Sequence, residues 1–169
     1  MLVQEEEKMF RSTGSILCII FIGLLFSAVP LPAAERFTDN GDGTVTDHQL
    51  GVMWGKSDNQ GNVSWKQAQQ WVKFTFPYTI TKQYDNWRLP TIAELESLYL
   101  ADKQHNGYET DCGQQVKTVK AIKLTCGWVW SSETSAIQAR VFNFHRGYPY
   151  MDRMAHDKSF RALPVRDIK

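Results

Sequence analysis

Asn86-Trp87-Arg88-Leu89-Pro90-Thr91-Ile92-Ala93-Glu94-Leu95 is the stretch from which the fold of this 169-residue chain reads most directly. Thr91 and Glu94 stand at the spacing of a capping box, in which the hydroxyl accepts from the Glu94 amide while the carboxylate reaches back. A helix is therefore predicted from Ile92, with Ile92, Leu95, Leu98 and Tyr99 as its buried stripe. Upstream, Ser64 and Gln67 repeat the capping pattern, and Trp65, Ala68, Trp71 and Val72 share one face of the helix they open. Tyr78 to Asn86 reads as a polar connection between the two.

Short strands flank this helical pair. Arg36-Phe37-Thr38 and Thr44-Val45-Thr46 lie either side of Asn40-Gly41-Asp42-Gly43, a hairpin turn, and Gln49-Leu50-Gly51 turns again into Val52-Met53-Trp54. Asp39, Asp42 and Asp47 invite a calcium reading, but the EF-hand ligand order with its distal Glu is missing, and Asp or Asn beside Gly is a turn former first. Lys103 to Lys123 reads as a loop carrying Cys112, with Val116, Val119, Ile122 and Leu124 as weak anchors. After Cys126, Trp128-Val129-Trp130 and Ala139 to Phe144 read as strands, Arg146-Gly147 as a turn and Phe160 to Arg166 as the last strand. Pro164 cannot donate to a ladder, which puts that strand at an edge or bulges it. Strands, two amphipathic helices, a loop, then strands predict an α+β domain with short antiparallel strands.

Residues 1–34 are read apart from this domain, which is expected over 35–169. Lys8 and Arg11 precede an almost unbroken apolar run, Ile16 to Leu31, and Ala33-Ala34 offer small residues at a signal-peptidase exit. The run is shorter than the about 20 apolar residues of a membrane span. A signal peptide is expected; an uncleaved leader would be the link to a membrane. Glu5-Glu6-Glu7 is unusual ahead of a leader and leaves Met9 as an alternative start, and no lipobox surrounds Cys18. Cys112 and Cys126 remain, and in an oxidising compartment an isolated pair is most simply a disulfide. Closing that loop stabilises by roughly 3 kcal/mol in the chain-entropy model. A redox pair or half a metal site would want C-x-x-C spacing or clustered His, and neither is present.

The formal net charge of +1 argues against a nucleic-acid partner. Cations gather late in the chain, where Arg140, Arg146, Arg153 and Lys158 are interleaved with Phe144, Tyr148 and Tyr150, near Asn143 and His145. Guanidinium groups match sulfate and carboxylate geometry, and flat rings stack on sugar faces. Arg140, Asn143, His145, Arg146, Tyr148, Tyr150, Arg153 and Lys158 are thus a candidate ligand-binding set; against it stands the reading of these cations as solvated sheet edges that deter aggregation. Arg88, Arg161 and Arg166 are expected to bond internally. No catalytic residues are assigned: Ser131 and Ser132 sit in no nucleophile signature, the four His are scattered, and Glu94 is used as a cap. No cofactor and no metal site is expected.

Arg36 to Asp47, Gly51-Val52-Met53-Trp54, Trp65-x-x-Ala68, Asn86 to Leu95, Trp130-Ser131-Ser132-Glu133 and Val165-Arg166, in that order, resemble the bacterial Lcl C-terminal domain family. Trp87, Arg88, Leu89, Pro90, Thr91, Glu94 and Arg166 are the structural motif residues of this resemblance. The Arg-Leu-Pro-Thr-x-x-Glu element also resembles that of formylglycine-generating enzymes, which implies a C-type-lectin-like fold. The family's namesake is a bacterial surface adhesin that binds sulfated glycosaminoglycans, so the resemblance implies an exported binding module, periplasmic or extracellular. Its implied partner is an anionic glycan or a cell-envelope protein. A structural module without small ligand is the alternative, and an oxidase or hydrolase the remote one. The Cys that many members carry after the Trp-x-x-Ala helix and in a closing Arg-Cys-Val-Arg are replaced by Val72 and Pro164. The Glu-Pro-Asn, Gln-Pro-Asp and Trp-Asn-Asp sequences of calcium-dependent lectins do not occur.

Overall fold

The computed structural model describes residues 35–102 and 104–168; the leader expected over residues 1–34 lies outside them. Among the described residues no helix is long and apolar enough to cross a membrane. Two short helices form where the capping boxes stand, α1 (Trp65–Gln70) and α2 (Ile92–Ser97). The Glu94 amide donates to Thr91 Oγ1 at 3.2 Å, and the Thr91 amide to Glu94 Oε2 at 2.7 Å. Ser64 and Gln67 form the same reciprocal pair. Six residues are too few for a helix to persist alone in water, so packing holds both: Ala68 is sealed on the first with Val72 in the turn beyond it, and Ile92 and Leu95 on the second with Leu98 at its C-cap. Beyond α1 the chain winds on through a π-turn (Trp71–Thr75) and a 3-10 turn (Phe76–Tyr78).

The bulk of the domain is β-structure. β1 (Phe37–Asp39), β2 (Thr44–Asp47) and β3 (Val52–Gly55) form the antiparallel meander that the turn sequences predict. The three carboxylates of the calcium reading are turned to separate partners. Asp39 pairs with Lys56, Asp42 accepts from Thr44 and Tyr84, and Asp47 grips Arg36. Within the expected loop a small hairpin forms, β4 (Tyr108–Glu109) with β5 (Gln115–Val116), and its anchors are stronger than expected: Val116, Ile122 and Leu124 are fully buried.

The second large sheet holds β6 (Trp128–Ser135), β7 (Gln138–Asn143), β8 (Tyr148–Arg153) and β9 (Phe160–Arg161), in the order β8-β7-β6-β9. β8 has no counterpart in the sequence reading. It contains Pro149 and lies at the sheet edge, where a missing amide donor is tolerated. The expected last strand divides in two. β9 runs parallel to β6, a departure from the all-antiparallel expectation, while β10 (Val165–Asp167) crosses over to pair antiparallel with β3. Ala162, Leu163 and Pro164 make the crossing, buried throughout. Pro164 offers only its carbonyl, which accepts from the Gly55 amide at 2.9 Å.

The helices lie on opposite faces of the second sheet. α2 packs with Val129, Phe142 and Phe144, and this core also takes Val45, Trp54 and Val165 from the first sheet. α1 packs with Trp130, Ala139 and Val141. A third cluster gathers Met53, Phe76, Ile80 and Trp87 on the far side of β3. The segment before α2 is locked to the closing strand: Arg88 and Val165 exchange backbone hydrogen bonds, and the Arg88 guanidinium spans Glu94 and Asp167 at 2.8–2.9 Å. Arg161 donates to Thr125 and Asn62, and Arg166 to the Asp85 carbonyl, so these two cations are also used within the fold.

Burial pushes the Glu94 carboxyl pKa up, but Arg88 and the Thr91 amide and hydroxyl outweigh it and hold the group below its ordinary value. Such a group stabilises above its unfolded pKa and loses that contribution as pH falls through the native one. Glu94→Gln is expected to cost about 2–3 kcal/mol at neutral pH by urea unfolding. The gap between wild type and variant should shrink below the ordinary value of 4.5 and close in strong acid. An unchanged urea midpoint at neutral pH would show that the carboxylate carries no such load.

Candidate functional site

The register of the second sheet decides which side chains meet. Asn143 on β7 lies opposite Trp128 on β6 and Tyr148 on β8, and Val141 lies opposite Trp130 and Tyr150. Directly opposed residues share a face. α1 covers the Trp130–Val141 part of that face, tied down by Trp65 Nε1 donating to the Ser131 carbonyl and Trp130 Nε1 to the Val63 carbonyl. The row Trp128–Asn143–Tyr148 lies past the end of that cover. A cleft of about 590 Å³ opens there, lined by these three and Tyr150, with His145 and Arg146 from the β7–β8 turn and Gln114 from the disulfide loop.

The turn is built by Asn143. Its Oδ1 accepts from the amides of His145 and Arg146 at 2.9 and 3.1 Å, and its carbonyl accepts from Gly147. Gly147 has φ +74°, and a Cβ there would meet the Tyr99 ring at 2.3 Å, so both conformation and space require glycine. Asn143 is therefore mainly a positioning residue whose side-chain NH₂ alone is left for a ligand. His145 Nδ1 donates to the Gln115 carbonyl at 2.7 Å. That bond leaves Nε2 as an acceptor when the ring is neutral. Arg146 is exposed and, among the described residues, its guanidinium makes no ion pair. Burial, then Asp152 and Tyr148, push the Tyr150 hydroxyl pKa up, so it stays a neutral donor. Tyr148 is 44% exposed and its ring centroid lies 6.2 Å from that of Tyr150.

Arg140, Arg153 and Lys158 do not join this group. Arg140 and Arg153 face the other side of the sheet, opposite Met151 and Gln138. Arg140 donates to Glu133 Oε2 at 3.0 Å, and Glu133 Oε1 accepts from the Ile92 amide at 2.8 Å, so this cation serves the start of α2. Lys158 lies exposed in the turn between β8 and β9. Alternation across one pairing register thus divides a set that looks continuous along the chain. Trp128 and Gln114 are the lining residues that sequence reasoning does not select.

Cys112 and Cys126 are joined, with Cα atoms 5.4 Å apart. The bond fixes the wall of the cleft. Gln114 lies inside the closed loop, with its Oε1 4.0 Å from Cys126 Sγ, and Gly127 leaves the space it needs, since a Cβ there would lie 2.4 Å from that oxygen. The cleft pairs flat rings with an exposed guanidinium, an imidazole and amide groups, a set suited to holding a polar ligand. Among the described residues no three His, Cys, Asp or Glu side chains group as metal ligands.

These features define a disulfide-stapled, β-rich α+β domain with two short capped helices. The family model of the Lcl C-terminal domain matches residues 43–166, and the chain belongs to the Lcl C-terminal domain family. A comparison with curated proteins finds no match.

Replacing both Cys112 and Cys126 by Ser is expected to lower stability by about 3 kcal/mol. Wild type unfolded in urea with excess reductant should then match the double variant in its midpoint. A reduced wild type as stable as the oxidised protein would show that the staple contributes nothing.

Proposed function

We propose that the chain is an extracytoplasmic, non-catalytic binding module of C-type-lectin-like fold, and that its cleft takes an anionic glycan of the cell envelope or beyond. The observation that carries this reading is the convergence of Arg146, His145, Tyr148, Tyr150 and Trp128 on one open cleft. A guanidinium with no ion pair among the described residues can form paired hydrogen bonds to sulfate or carboxylate, while the tyrosine and tryptophan rings offer apolar faces to the sugar. The disulfide supports an oxidising compartment. The return of the last strand to the sheet begun by the first supports the lectin-like topology.

Retention of the purified protein on immobilised sulfated and uronate-bearing glycans tests the reading. Binding should weaken as salt rises, because the exposed charge is screened. Arg146→Ala and Tyr148→Ala should each reduce affinity about tenfold. Arg140→Ala should leave affinity intact and cost no more than about 1 kcal/mol of stability, since its ion pair is exposed. Absence of retention on every anionic glycan would sink the proposal and favour a purely structural module.

A further inference from the structure

We infer that a second surface, on the turn that follows α1, binds uncharged saccharides. The π-turn and 3-10 turn present Phe74 and Tyr78 outward, 69% and 79% exposed. Large rings this open serve no core, and exposed apolar patches mark binding surfaces. A groove of about 320 Å³ runs between these two rings and the segment Gln83–Asn86. It shares no lining residue with the cleft beside Arg146, and the inference does not rest on that cleft's ligand.

The far wall is fixed. Tyr84 donates its hydroxyl to Asp42 Oδ2 at 2.8 Å, and the Asp85 carbonyl accepts from Arg166 Nε at 2.9 Å. Lys82 and Arg166 lie 5.1 and 5.2 Å from the Tyr84 ring centroid, so that ring already serves cations. Stacking is left to Phe74 and Tyr78. Trp87, only 3% exposed, forms the floor, and its Nε1 donor has no acceptor among the described residues.

The groove's chemistry selects the ligand class. Lys73 and Asp85 bring one charge of each sign to the lining itself, while the Lys82 and Arg166 cations behind it are held over the Tyr84 ring. Gln83 and Asn86 supply amides that both donate and accept. A hexose matches this set, with C–H faces for the two rings and hydroxyls for the amides. An anionic lipid surface would meet the Asp85 carboxylate and the amides instead of a continuous apolar face.

An array of uncharged glucose, galactose and N-acetylglucosamine oligomers, printed beside phosphatidylglycerol vesicles, tests the assignment with the purified protein. At least one uncharged oligomer should be retained, with no dependence on salt. The double variant Phe74→Ala/Tyr78→Ala should bind it about tenfold more weakly, and Gln83→Ala, on the opposite wall, should weaken it too. Arg146→Ala and Tyr148→Ala should leave it unchanged, which separates this surface from the anionic cleft. No retained uncharged sugar, equal retention by both groove variants, or a loss confined to vesicle binding would each overturn the assignment.

Discussion

The carboxylate of Glu94 accepts from four donors: both terminal nitrogens of Arg88, and the amide and hydroxyl of Thr91. This one group starts α2 and holds the guanidinium that reaches Asp167 on β10. The beginning of a helix and the end of the chain are thereby fixed to each other. Since β10 pairs with β3, the meander at the start of the domain is fixed to the same point. A helix of six residues could not organise three elements by its own stability. It does so because its N-terminus is held from outside, by Arg88 through Glu94 and by Arg140 through Glu133.

The position of α2 has a consequence for the opposite face of the second sheet. With one face given to α2 and the main core, the other is left to α1, which is equally short. A six-residue helix rises only about 9 Å and cannot cover a four-stranded sheet. What it leaves open is the row Trp128–Asn143–Tyr148. The cleft therefore follows from helix length and register, and the turn residues His145 and Arg146 rim it because Asn143 folds the chain back at that end.

How much of this the sequence discloses depends on how local each feature is. Both helix starts are legible because a capping box is closed by residues three apart, and the first hairpin because its turn is self-contained. The Cys112–Cys126 bond follows from there being no other partner outside the leader. β8 is hidden because Pro149 and the mixed polarity of Tyr148–Arg153 break the alternation that marks a strand, and edge placement is what makes both tolerable. The division of Phe160–Arg166 between two sheets is set by β6 and β3, far away in sequence, and only Pro164 hints at it. The same contrast runs through the site. Asn143, His145, Arg146, Tyr148 and Tyr150 belong to one turn and its flanking strand, so proximity in sequence selects them. Arg140 is as close in sequence, yet the two-residue period of the strand sends it to the other face. Trp128 and Gln114 reach the cleft only through long-range pairing.

The staple also stands where the fold most needs it. β4 and β5 have two residues each, and a hairpin that small has no independent stability. Among the described residues, no helix packs over the Trp128 end of the sheet. The Gln114 wall thus cannot be held by apolar cover from the cleft side. A covalent link to Cys126, one residue from Gly127 and two from Trp128, holds it without burying the cleft. The bond confers order on the rim while leaving the rings accessible, which is the combination a preformed binding surface requires.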